Sequence, residues 1–329
     1  MSEVKTAQEL LGVPLEKGMY EEARGQNVPF SEFIHNLALD KGTITPDDKF
    51  HAFERLLKAF DIRVSGPTAH TVNSFYKVEE SPVLFPEWIN RQVKIGMLIG
   101  KNTAHMEDLV STEFSIDSNV YKDISLDPVT QATRMKRVAE YAEFPGFKIT
   151  HKEKAITIRK IGQALDISYE VLRRIKIPLV AQHLQMVGLH LAADMATEAI
   201  RVAINGDGNM NPAITTAVAT PGTLLFADLI DWTLEFDPHD SSLWIMSKAL
   251  IGKCLRMEEF HKAGMGSTFP RTGEWITPFG NVMKRHTAVT AGHILGCDQD
   301  FGLEKITEAG SELTESTYRS ALQTWRRNG

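Results

Sequence analysis

Apolar residues in the first 80 or so positions recur at helical spacing, with breaks at Gly42, Gly66 and Pro67. The clearest segment opens at Thr45, whose side chain can cap a helix. Pro46 follows in the first helical position, and Asp47 and Asp48 in the first turn, where the helix dipole favours anions. Phe50, Phe53, Leu57 and Phe60 then form a stripe that requires cover, from its own subunit or from a neighbour or assembly factor. From Pro82 to Gly100, the positions of Phe85, Pro86, Trp88, Ile89 and Ile95 predict a strand or extended lead-in followed by a short helix.

The period then changes. In Leu109 to Asp117, Phe114 and Ile116 alternate with polar neighbours, as in a half-buried strand. The next strand pattern runs from Ala155 to Ile167. Its alternation at Ile156 and Ile158 resumes out of phase at Ile161, Leu165 and Ile167, which predicts a β-bulge near Lys160 to Gly162. A short helix is expected from Asp166 and Ser168 to Ile175. Pro178 then opens the longest signal in the chain, Pro178 to Ile204, roughly 40 Å of helix. Its stripe is Val180, Leu184, Val187, Leu191, Met195, Ala199 and Val202, and Asn205 with Gly206 ends it. Beyond the turn-rich Asn205 to Gly222 come a helix over Leu224 to Phe236, a strand over Leu243 to Met246 and a helix over Lys248 to Phe260. A glycine-rich loop, Gly264 to Gly273, precedes short strands at Trp275 to Thr277, Val282 to Arg285 and Phe301 to Ile306. The sum is a mixed α+β chain.

Composition narrows the function. With 43% hydrophobic and 24% charged residues in 329, the chain has material for one large or two modest cores. It shows neither a membrane-length apolar run nor a secretory pattern, so a cytoplasmic site of synthesis is expected. Cys254 and Cys297 are too few and too far apart for a disulfide framework or a structural zinc site, and buried thiols are the expectation. A net charge of −6 argues against a dedicated nucleic-acid binder.

The sharpest enzymatic candidate is the polar face of the long helix. His183, His190, Asp194, Glu198 and Arg201 share one wedge, but only His190 with Asp194 has the i, i+4 spacing of metal ligands. A solvated or subunit-facing stripe accounts for all five. Asn205, Asp207, Asn209 and Asn211, alternating with Gly206 and Gly208, resemble a calcium loop until the twelfth position, where Thr216 replaces the bidentate acid. A helix-terminating turn is the better account. Phosphate loops, dinucleotide fingerprints and serine elbows are absent from the sequence. No cofactor, metal or catalytic residue is assigned.

The stretch from Ser118 to Glu153 is too long for an ordinary loop. Val129, Met135, Val138, Phe144 and Phe147 are spread among Lys122, Arg134, Lys136, Arg137 and Lys148, with Glu140 and Glu143 among the acids and Pro128 and Pro145 as punctuation. This pattern predicts a two-stranded projection with little to bury, which needs a surface to lie on. A neighbouring subunit would supply it. Lys122, Arg134, Lys136, Arg137, Glu140, Glu143, Phe144 and Phe147 are therefore the candidate assembly contacts.

One order of features brings a family into view. A hairpin carrying Ala139-Glu140-Tyr141-Ala142-Glu143-Phe144-Pro145 is followed by the strand Ile156 to Ile167, Ser168-Tyr169-Glu170-Val171-Leu172, the long helix and Ile204-Asn205-Gly206-Asp207-Gly208. Thr223 to Trp232, Trp244-Ile245-Met246 and Ala291-Gly292-His293-Ile294-Leu295-Gly296-Cys297-Asp298 continue it. From about Pro82 to the C-terminus this order resembles the Hong Kong 97 fold of the major capsid proteins of tailed double-stranded-DNA bacteriophages.

The resemblance implies a domain plan: an N-terminal arm or helical extension over 1–80, a peripheral domain over 81–117 and 154–210 with its spine helix at 178–204, and an E-loop hairpin over 118–153. An axial domain over 211–293 and a return to the peripheral domain over 294–329 complete it. It further implies a structural protein, not an enzyme, that assembles with itself as hexamers and pentamers into an icosahedral head. That head would enclose DNA without sequence-specific binding and without a membrane. Scaffold, portal and decoration proteins would be its partners, the host cytoplasm its place of assembly and the virion its location. The same fold serves encapsulin-like nanocompartment shells, which is the alternative, and a metal-dependent enzyme is the third reading. The N-terminal region and long hairpin favour the virus.

Overall fold

Helix formation dominates the first hundred residues of the computed structural model. The structure describes residues 7–26, 28–45, 51–122, 124–126, 137–140, 149–151, 154–158, 173–209, 211–237, 239–260 and 273–308. The fold is mixed α+β with one long helix and small sheets, and the chain divides into two units. Described residues of the first lie in 7–99 and 173–191; those of the second lie in 100–158 and 192–308.

The first unit contains α1 (Ala7–Leu11), α2 (Met19–Gly25), α3 (Phe30–Asp40), α4 (Ala52–Ala59), α5 (Leu84–Met97) and the first half of α6 (Ile177–Asn205). Leu10, Leu11, Ile34, Phe53, Leu56, Phe75, Leu84 and Trp88 are almost wholly buried in one core, which Ile177, Val180 and Leu184 of α6 complete. Phe75 anchors its aromatic part, with ring centroids 5.2 Å from Phe85 and 5.7 Å from Trp88.

Two sequence expectations are corrected here. His51 has extended backbone (φ −63°, ψ 151°), so the helix beginning at Ala52 is a fresh start and not the continuation of one capped by Thr45. Phe53 and Leu57 are buried in their own unit with Leu56 between them, which settles where that stripe finds cover; Phe50 lies outside the described residues. Pro82 makes no extended lead-in. It sits in a 3-10 turn, Ser81–Val83, that runs directly into α5, since proline's fixed φ suits a first helical turn.

α6 is continuous over 29 residues, one beyond the expected helix at each end. Its buried line is not the one the large apolar residues mark. Val187, Leu191, Met195 and Val202 are half-buried, whereas burial runs through Leu184, Gly188, Ala192, Ala196 and Ile200 in steps of four. Small residues on that line permit close packing. At the α5–α6 crossing, a Cβ on Gly96 would lie 2.1 Å from the Gln185 carbonyl oxygen, and one on Gly188 2.1 Å from that of Val93.

In the second unit β6 (Leu243–Met246) lies inside a four-stranded sheet of order β7-β8-β6-β9. Its partners are β7 (Trp275–Ile276), β8 (Val282–Arg285) and β9 (Ile294–Cys297). All four β6 residues are buried, as expected of a strand covered on both faces. Leu243 and Ile245 pack with Leu109 and with Ala199 and Ile200 of α6. Trp244 and Met246 face the other way, onto Leu229 of α7 (Phe226–Leu234) and Leu250, Ile251 and Cys254 of α8 (Lys248–Cys254). α8 stops at Cys254, short of the expected Phe260, which instead falls in a 3-10 turn, Glu258–Phe260.

The expected strand at Leu109 to Asp117 forms as β1 (Val110–Ile116), but its partner was not foreseen. β1 pairs in parallel with β10 (Leu303–Glu308), from Val110 opposite Leu303 to Ile116 opposite Glu308. The bulge expected near Lys160 and most of the short helix before Ile175 lie outside the described residues.

Candidate assembly surface

Past Ile116 the chain bends and runs out as β2 (Val120–Tyr121) and β3 (Ile124–Leu126), then returns as β4 (Ile149–His151) and β5 (Ile156–Thr157). The pairing is antiparallel throughout: Val120 opposite Thr157, Tyr121 opposite Ile156, Ile124 opposite His151 and Leu126 opposite Ile149. Among the described residues, the stretch singled out for its length thus begins and ends as a two-stranded ribbon.

Local bonds fix the base of this ribbon. The Ile158 amide donates to the Asn119 carbonyl at 2.9 Å, and the Tyr121 ring meets Phe114 of β1 edge-on at 5.5 Å. Lys154 ties the returning strand to the turn that ends α6: its Nζ donates to the Gly208 carbonyl at 2.9 Å and its amide to Asn209 Oδ1 at 3.2 Å. That turn uses its polar side chains on its own backbone. Asn211 Oδ1 accepts from the Asp207 amide at 3.1 Å and Asp207 Oδ1 from the Asn209 amide at 2.8 Å, while Gly206 (φ 77°) and Gly208 (φ 95°) take left-handed conformations. In the turn that ends α6, Asp207, Asn209 and Asn211 thus each accept a backbone amide through a side-chain oxygen.

Burial is what the base of the ribbon lacks. Residues 110–122, 137–140, 154–158 and 173–176 are all exposed or half-buried, and Ile177 at the start of α6 is buried. Of the candidate contacts, Lys122, Arg137 and Glu140 are exposed; Arg134, Lys136, Glu143, Phe144 and Phe147 lie outside the described residues.

The polar face of α6 is open. His183, His190 and Asp194 are exposed, and Arg201 pairs with Glu198 at 2.5 Å one turn earlier. Among the described residues no three His, Cys, Asp or Glu side chains are placed to hold a metal ion. An open apolar groove of about 220 Å³ lies in the second unit, between Met195, Ala199 and Val202 of α6 and Val110 and Leu303 of the parallel pair. Two of the charged residues at its border engage others, Glu198 with Arg201 and Lys305 with Glu113 at 2.6 Å. Burial pushes the thiols of Cys254 and Cys297 up to about 11, so both stay protonated at neutral pH.

One surface went unread in the sequence. Residues 211–223 are all exposed, Ile214 at 96%, and the segment is held to α7 by Thr216 Oγ1 donating to Glu235 and the Ala219 amide donating to Asp228. α7 itself exposes Ile230 and Leu234. Its sequence is apolar on both faces, the signal of a helix needing cover twice. Models of known protein families and curated proteins yield no match to this chain. No described helix is long and apolar enough to cross a membrane.

Proposed function

We propose that this protein is the repeating subunit of a closed shell, with the Hong Kong 97-like fold of tailed-phage major capsid proteins. The observation that carries the proposal is the ribbon: antiparallel from Val120 opposite Thr157 to Leu126 opposite Ile149, with residues 120–122 and 154–158 at its base all exposed or half-buried. A two-stranded ribbon is marginal in water by itself. Repeated contact with neighbouring copies gives it a surface to lie on. In this reading α6 is the spine of the peripheral domain, and the sheet carrying β6, with α7 and α8, belongs to the axial domain around the centre of each hexamer or pentamer. The net charge of −6 suits a wall that encloses DNA without gripping it. Scaffold, portal and decoration proteins are the expected partners, and the virion the expected location.

The test separates folding from assembly. Replacing Lys122 to Thr150 with a short Gly/Ser turn leaves the three hydrophobic clusters of the two units intact, so the variant should stay soluble and melt cooperatively. It should form no shells. Circular dichroism and melting, beside particle counts by electron microscopy, read both properties. Normal shells from the shortened chain would refute the role given to the ribbon, and an unfolded subunit would show that the segment belongs to the core.

A further inference from the structure

α7 and α8 cover the same side of the four-stranded sheet, and their outward faces are opposite in character. On α7, Leu229 is buried, whereas Ala227, Ile230, Asp231 and Leu234 fall within an outward arc of roughly 100°. Ile230 is 37% and Leu234 71% exposed. On α8, Leu250, Ile251 and Cys254 are buried, and Lys248, Ala249 and Lys253 face out around Gly252, with Arg256 just beyond the helix. A Cβ on Gly252 would meet nothing within 4 Å, so the floor between these cations is low and open.

One end of each helix sets charge against the dipole, although Asp228 at the start of α7 and Lys253 at the end of α8 favour it. α7 has Asp231 in its last turn, no base there, and Glu235 and Asp237 just after it, where a helix end already carries partial negative charge. α8 starts with Lys248 and has no acid in its first turn, where the helix end is partly positive. Among the described residues Asp231, Lys248, Lys253 and Arg256 have no ion-pair partner.

We propose that these faces are the two halves of one contact between copies of this chain. The Ala227, Ile230 and Leu234 stripe of one copy lies on the Ala249 and Gly252 floor of another, and Asp231 enters the cationic rim of Lys248, Lys253 and Arg256. Each face supplies what the other lacks: apolar bulk for a small-residue floor, and acid for base. This rests on the reading of the chain as a self-assembling subunit and names a contact by which it assembles.

The experiment is charge reversal and its repair in the full chain. Asp231→Lys, and Lys248→Glu with Lys253→Glu, should each raise the concentration needed for association by about tenfold or more, since like charges then meet. All three changes in one chain should restore association, with melting like that of the wild type because every altered side chain is exposed. Undiminished assembly of the reversal variants, or no repair on combining them, would overturn the contact and leave the shell reading standing. A second measurement needs no variant: zero-length carbodiimide crosslinking of a mixture of isotope-labelled and unlabelled wild-type protein at high concentration. It should join Asp231 of one copy to Lys248 or Lys253 of another. Oligomers without that link would refute the contact, and a wild type that never associates would refute the shell reading with it.

Discussion

Gly96 and Gly188 set how closely α5 and α6 approach, because any side chain at either position meets the backbone of the other helix at 2.1 Å. Glycine within a helix costs about 1 kcal/mol relative to alanine, so its use here reflects the crossing and not the helix. Gly188→Ala should therefore lower stability by about 1–3 kcal/mol despite the better propensity, as overpacking does. Chemical denaturation measures it, and an unchanged or raised midpoint would show that the helices are free to separate.

A second residue-scale effect is pH. The His51 ring stacks on His35 at 4.1 Å, and burial, then His35 and Arg91, hold its pKa from the usual 6.5 down to about 4. The unfolded chain thus takes up the proton first on acidification. This contribution is complete above pH 6.5 and is lost as the pH falls toward 4. Glu87 acts in the opposite sense, since burial raises its carboxyl above 4.5 and its contribution fades as the pH rises through that range. Comparison with His51→Phe isolates the histidine: melting of the variant should fall less than that of the wild type between pH 6.5 and 4, and equal slopes would contradict the assignment.

At the scale of elements, the sequence is most legible where pattern and burial coincide. β6 and β8 form over the predicted residues, and in β6 an apolar run bounded by turn residues leaves little choice of register. α6 also forms nearly as predicted, yet its buried line passes through Gly188, Ala192 and Ala196, which large-residue periodicity does not see. The parallel partner of β1 was illegible for a different reason: β10 lies about 190 residues later, and nothing local encodes such a pairing. The ribbon was visible as excess length with dispersed apolar residues, while the outer face of α7 was not, because its sequence places apolar residues both on that face and on the buried one. The structural account of α6 makes a paired prediction. Leu184→Ala, at a position 3% exposed, should cost about 2–5 kcal/mol, whereas His190→Ala, on the open face, should stay within about 0.5 kcal/mol. Thermal melting of both reads it. A large loss at His190, or a bound ion that disappears with it, would make that face a site.

At the scale of the whole molecule, the chain combines two units that have cores of their own with surfaces that have none: the ribbon, residues 211–223 and the outer face of α7. Exposed apolar side chains such as Ile214 and Leu234 bring no benefit to a free subunit and favour its association. The proposed self-assembly would give all three surfaces a purpose at once. The most direct measurement is electron microscopy of the purified full-length protein, alone and co-expressed with a scaffold protein. The account predicts closed, uniform particles built from five- and sixfold clusters of the subunit. A protein that stays monomeric or dimeric under every assembly condition, scaffold included, would contradict it.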